Sequence, residues 1–143
     1  MILPDINLLV YAYNSDAPGH KKAKAWWEDS LSESRPVGLP WVVILGFLRL
    51  MTSRSVLVTP LTPEEAINDI RSWLERPQVQ ILRPSPRHLE LLDRLMRDAQ
   101  ASGRLTTDVH LAALAIEHQA ELHSNDGDFS RFPGLRWTNP LLQ

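Results

Sequence analysis

The chain has 143 residues, 43% of them apolar, and a formal net charge of −2, the size of one domain with a core of its own. The absence of cysteine excludes disulfides, thiolate metal sites and a cysteine nucleophile, and it fits a reducing cytoplasm. Because the net charge is slightly negative, any nucleic-acid contact must come from a local basic surface.

Residues 1–3 read as a short strand, leading into Leu8, Leu9, Ala12 and Tyr13 at helical spacing before the Asp16-Ala17-Pro18-Gly19 break. No basic lead or small-residue cleavage site marks a secretory signal there. Over residues 20–31, Ala23, Trp26, Trp27 and Leu31 form the inner face of an amphipathic helix whose outer face carries Lys21, Lys22 and Lys24. Pro40 suits the first position of a third helix, residues 41 to about 52, which is apolar nearly all round and expected to be buried. Its apolar run is far shorter than the about 20 residues needed to cross a bilayer, so no membrane partner is expected. Thr62, Pro63, Glu64 and Glu65 give an N-cap, a first-position proline and first-turn acids for a helix to about residue 74.

Residues 79–82 are the next strand. Ser85-Pro86 repeats the cap-and-proline signature, opening a helix with Leu89, Leu92, Leu95 and Met96 inward and its end near Gly103. Thr106 is placed to cap a helix over 107–119, followed by strands around 120–124 and 135–138. This alternation predicts an α/β fold, a three-layer α/β/α sandwich around a parallel sheet of four or five strands, in one domain over residues 1–143.

Three aspartates, Asp5, Asp108 and Asp126, stand where an apolar run gives way to a turn or a helix start. Singly, each has an ordinary explanation: Asp5 as an N-cap, Asp108 as a first-turn acid complementing the helix dipole, and Asp126 before Gly127 as turn chemistry. In a doubly wound sheet, ligands bind at the carboxyl ends of the strands, and all three sites fall on that edge. Structural caps have no need to converge. Two carboxylates about 4 Å apart repel by roughly 4 kcal/mol at an effective dielectric of about 20, and a divalent cation turns repulsion into attraction. Oxygen-only ligands select Mg²⁺ or Mn²⁺ over Zn²⁺ or copper, so a hydrolytic metal site acting on phosphate esters is expected. Spacing leaves open whether one ion or a pair is used. Asn7 either orients a ligand or caps the first helix, and Thr107, Ser124 and Asn125 are candidates for hydrogen bonds behind the acids.

The other signals are plainer. The lysines of the second helix and the scattered Arg49, Arg54, Arg83, Arg87 and Arg104 read as solvated surface. Trp41, Trp73 and Trp137 sit in apolar patterns and read as core, whereas one of Trp26 and Trp27 is a candidate for an exposed stacking surface. The five histidines show no metal-ligand spacing and are expected at the surface. No GxSxG, GxxxxGK[ST] or GxGxxG motif is present, which sets aside serine hydrolases, P-loop enzymes and dinucleotide enzymes.

Leu3-Pro4-Asp5-Ile6-Asn7-Leu8-Leu9, then Thr107-Asp108-Val109-His110-Leu111-Ala112-Ala113, then Ser124-Asn125-Asp126-Gly127-Asp128-Phe129 together resemble a PIN-domain ribonuclease of the VapC toxin type over essentially the whole chain. The resemblance implies a Mg²⁺-dependent endoribonuclease of a type II toxin–antitoxin pair, with Asp5, Asp108 and Asp126 as metal-site acids and Asp128 as an additional acid. It also implies RNA as substrate, a VapB-type antitoxin as inhibitory partner and a homodimer. One position departs from the pattern: PIN domains commonly carry a glutamate in the third helix, where this chain has Gly46, and no acid lies between Arg35 and Pro63. That departure leaves two expectations, a variant nuclease or a PIN-fold protein that binds RNA or antitoxin without cutting. A receiver-like or phosphatase-like fold ranks last, since it calls for a lysine near the later strand ends or a second aspartate where Asn7 stands.

Overall fold

The computed structural model describes all of residues 1–143. In chain order the elements are β1 (Ile2–Pro4), α1 (Ile6–Tyr13), α2 (His20–Ser32), β2 (Val37–Pro40), α3 (Trp41–Met51), α4 (Pro63–Leu74), β3 (Val79–Leu82), α5 (His88–Asp98), α6 (Thr106–Glu117), β4 (Glu121–His123) and β5 (Trp137–Thr138). Short 3₁₀ turns occupy Gly103–Leu105, Gly127–Arg131 and Pro140–Leu142.

All five strands run parallel in the order β3-β2-β1-β4-β5. The chain adds β2 and β3 on one side of β1, then returns across the sheet to add β4 and β5 on the other. With right-handed crossovers, that reversal moves the connecting helices to the opposite face. Helices α1 to α4 accordingly pack among themselves, and α5 packs on α6, giving the α/β/α layering. The carboxyl ends of β1 and β4 lie side by side at the reversal, in register from Ile2 and Glu121 to Pro4 and His123, and Asp5 and Ser124 emerge next to each other there.

Ile2, Leu3, Val37, Leu39 and Leu122 are buried in a core shared with both helical layers. Between α1, α2, α3 and α4 an aromatic cluster forms: Phe47 and Trp73 are 4.7 Å apart by ring centroid, Tyr13 and Phe47 5.4 Å, and Trp27 and Trp73 5.4 Å. Trp73 Nε1 donates to the Tyr13 hydroxyl at 2.7 Å, which satisfies a polar atom that burial would otherwise penalise.

The structure departs from the residue pattern at several points. The fifth strand, β2, was not read from the sequence, because Pro36, Gly38 and Pro40 in so short a stretch look like a turn. Pro40 ends β2 and precedes α3 instead of opening it. Ser85 Oγ accepts from Arg87 N–H in a local turn, so α5 begins only at His88, and it stops at Asp98 rather than near Gly103. Thr106 lies inside α6 and its hydroxyl donates back to the Gly103 carbonyl at 2.7 Å, leaving Leu105 at the cap position. Trp41 and Leu45 are 52% and 58% exposed, so α3 shows solvent an apolar edge instead of being buried all round, and Leu89 points outward as well. Trp27 is buried, whereas Trp26 is half-buried, with its indole N–H donating to His123 Nδ1 at 2.9 Å.

His88 and His123 are also buried, against the expectation of a histidine surface. His88 joins the start of α5 to the middle and the end of α6: its Nδ1 lies 2.5 Å from Glu117 Oε1 and its Nε2 2.9 Å from His110 Nδ1. Ser85 N–H donates to the other Glu117 oxygen at 2.9 Å. His123 is pinned between Trp26 and Glu121, whose Oε1 lies 2.7 Å from Nε2.

Candidate active site

Asp5 is the first residue beyond β1 and caps α1, its Oδ1 accepting from Ile6 N–H at 2.7 Å. Its backbone N–H donates to the His123 carbonyl, extending the sheet bonding by one residue and tying the acid to the end of β4. Ser124, fully buried, donates its hydroxyl to Asp5 Oδ2 at 2.7 Å and accepts from Asp126 N–H at 3.0 Å. One side chain therefore links two of the sequence-predicted acids. Asp126 Oδ1 in turn accepts from Asp128 N–H at 2.9 Å, which turns the chain so that both carboxylates face the same way.

Asp108 enters from the first turn of α6, whose N-terminus reaches the same edge. Carboxylate oxygens of Asp108, Asp126 and Asp128 all lie within 4.8 Å of one another. Asp5 is outside this group but close to it: its charge acts on Asp108, and the charge of Asp126 acts on Asp5. Asp128, expected only as an additional acid, is a full member of the cluster, while Asn7 and Thr107 are exposed and take no part in the bonds that tie the acids together.

Electrostatics records the crowding. Burial, then the carboxylates of Asp126, Asp5 and Asp128, push Asp108 from 3.8 up to about 6, against a small opposing pull from Arg104. Burial also raises Asp5, opposed by its bonds from Ser124 and Ile6. Such an excess of uncompensated negative charge fits a hard cation: oxygens bound to one Mg²⁺ lie at most about 4.2 Å apart, a small contraction of the observed cluster.

A PIN domain signature covers residues 2–135. The chain belongs to the PIN domain family. Over all 143 residues, and the full length of both chains, this PIN domain is 47% identical to the protein named Ribonuclease VapC33 of Mycobacterium tuberculosis. It is 39% identical over 140 residues to Ribonuclease VapC37 of the same organism, covering 98% of this chain and 97% of that one. Among solved structures, VapBC2 from Rickettsia felis, bound to a DNA fragment from the promoter, matches with a TM-score of 0.71 at 20% identity, over 97% of this chain and 98% of that one. Mycobacterium tuberculosis VapC20, described as a sarcin-ricin loop cleaving toxin, matches with a TM-score of 0.67 at 18% identity, over 95% and 99% of the two chains.

Two features of this PIN domain escaped the sequence. Arg104, read as scattered surface charge, has Nη1 3.5 Å from Asp128 Oδ2. Its position four residues before Asp108, at a helix start, was the available signal. The second is Ile6, whose side chain fills the space beside Gly46. Nothing in the residue pattern relates those two positions.

Proposed function

We propose that this protein is a metal-dependent endoribonuclease, the toxin of a VapBC-type pair, formed by one PIN domain over residues 1–143. The observation that carries the reading is the meeting of Asp108, Asp126 and Asp128 oxygens within 4.8 Å beside Asp5, in a chain 47% identical over its full length to a named VapC ribonuclease. Asp108, Asp126 and Asp128 would hold Mg²⁺ or Mn²⁺, with Asp5 adding charge from close by and one lone pair still free on each oxygen. A divalent cation so held supplies acidified water near neutral pH and charge neutralisation at phosphoryl oxygens. Ser124 keeps Asp5 and Asp126 in fixed relation, and the α6 N-terminus favours the ionised form of Asp108. The reaction is in-line hydrolysis of an RNA phosphodiester by water.

A VapB-type antitoxin as inhibitory partner, a homodimeric assembly and a cytoplasmic location complete the proposal, all by analogy with the VapC relatives. No helix is long and apolar enough to cross a membrane. Induced expression of the wild-type chain should arrest growth, with discrete RNA ends recoverable, while Asp5→Asn should grow normally; equal arrest by both refutes the reading.

One observation favours a second reading, a PIN-fold protein that binds RNA or antitoxin and cuts weakly or not at all. Gly46 brings no acid, and Ile6 lies against it, so the third helix adds neither charge nor oxygen to the pocket. Full cleavage by the unaltered chain eliminates this alternative.

A further inference from the structure

Arg104 is carried on the Gly103–Leu105 turn, immediately before the helix that bears Asp108. The backbone of that turn is fixed: Gly103 has φ +56, the Thr106 hydroxyl donates to the Gly103 carbonyl at 2.7 Å, and Leu105 is buried. The side chain by contrast is 79% exposed, with a single contact, to Asp128 at 3.5 Å. Arg131, on the turn that follows Asp126, donates instead to the Ala99 carbonyl at 3.0 Å. Arg104 is the one cation among the charges that act on Asp108, and its contact with Asp128 places it at the edge of the acid cluster.

The four acids carry −4 when ionised and Arg104 returns +1, so the rim of the pocket repels a phosphate diester. A charge of +2 among the acids still leaves −1, and substrate capture therefore needs a cation outside the acid cluster that can turn to the polyanion. An exposed, one-contact ion pair contributes little and is readily exchanged, whereas guanidinium on phosphate forms two parallel charge-assisted bonds. We infer that Arg104 is a phosphate-binding residue for single-stranded RNA, resting on Asp128 in the free protein and turning to a backbone phosphate beside the scissile bond. The inference rests on the ribonuclease reading above and extends it to how the substrate is held.

The test compares wild type, Arg104→Gln and Arg104→Lys, as full chains, in two titrations. The first follows anisotropy of a fluorescein-labelled single-stranded RNA of about twelve nucleotides in Ca²⁺ over a range of salt. The second measures Mn²⁺ alone without RNA. Arg104→Gln should weaken RNA binding about tenfold and lower the salt slope by about 0.7, the loss of one phosphate contact on a single strand. It should also bind Mn²⁺ a few-fold more tightly, because a positive neighbour has gone. Arg104→Lys should restore the slope and part of the affinity. An unchanged slope in Arg104→Gln, while wild type binds Mn²⁺ and cuts RNA, overturns the role of the arginine alone. Parallel loss of both affinities overturns it too, as the signature of a collapsed turn. A wild type that neither binds Mn²⁺ nor cuts RNA overturns the ribonuclease reading and this role with it.

Discussion

Ile6 stands in the space that a side chain at Gly46 would need: a Cβ built there would lie 2.5 Å from Ile6 Cδ1 and 2.9 Å from its Cγ1. The residue that follows the first acid thus replaces, with apolar bulk, the volume where the PIN pattern places a carboxylate. Gly46 costs about 1 kcal/mol in helix propensity relative to Ala, and the packing of α1 on α3 offsets it. The two positions form one device, and changing either alone breaks it.

Gly46→Ala should therefore destabilise by about 1–3 kcal/mol in spite of its better helix propensity, because Ile6 must shift. Combining it with Ile6→Ala should recover most of that loss, seen as a favourable coupling in a double-mutant cycle by urea unfolding. Gly46→Glu alone should likewise lose stability, whereas Ile6→Ala with Gly46→Glu should bind Mn²⁺ more tightly than the parent. Additive losses in the double variants would show that the two side-chain positions do not compete.

Ser124 holds Asp5 and Asp126 together from a fully buried position. Ser124→Ala leaves Asp5 Oδ2 without its donor and should cost about 1–3 kcal/mol of stability. It should also weaken Mn²⁺ binding by about tenfold to a hundredfold, since the acids lose their fixed spacing. Thermal unfolding and a Mn²⁺ titration on the same preparation check both.

Asp108 titrates in the folded protein at about 6 instead of 3.8, through burial and the charges of Asp126, Asp5 and Asp128. For an acid raised in this way, the folded state binds more protons between the two values, so its stabilising contribution is complete below 3.8 and is lost as pH rises through about 6. Asp108→Asn mimics the protonated form, and its melting temperature should gain on wild type as pH climbs through that window, with no difference at the acid end. A cation must displace the same proton, so Mn²⁺ affinity of wild type should fall as pH drops below about 6. Melting curves and Mn²⁺ titrations across that range would reveal a flat difference if the acids were not crowded.

His88 is the buried partner of Glu117, itself held by Ser85 N–H. His88→Ala leaves a buried carboxylate with one donor and should destabilise by about 2–4 kcal/mol, with little change in the urea m-value. Its effect on Mn²⁺ affinity should be small, because Glu117, the group left short of a partner, stands at the far end of α6 from Asp108.

Much of this arrangement was legible in the residues. Strand–helix alternation predicts the layers, and aspartates just past β1 and β4 and in the first turn of α6 mark the edge where Asp108, Asp126 and Asp128 meet. β2 was hidden because its place in the sheet comes from pairing with β1 and β3 on both sides, an interaction distant in sequence that overrides its glycine and prolines. The helix starts at His88 and Thr106 slipped by up to two residues, since Ser85 and Thr106 spend their hydroxyls on neighbouring turns. His88 looked like surface because its partners, His110 and Glu117, lie 22 and 29 residues away. The relation between Ile6 and Gly46 was illegible for the same reason: each is unremarkable until α1 and α3 are packed together.

If these acids make a metal-dependent ribonuclease, the initial rate of RNA cleavage by chelator-stripped protein must depend on added Mg²⁺. Wild type should show no cutting without metal and a saturable rise with it, while Asp108→Asn and Asp126→Asn should fall by about a hundredfold or more at any Mg²⁺ concentration. Cutting that persists in excess chelator, or at wild-type rate in both variants, would contradict it.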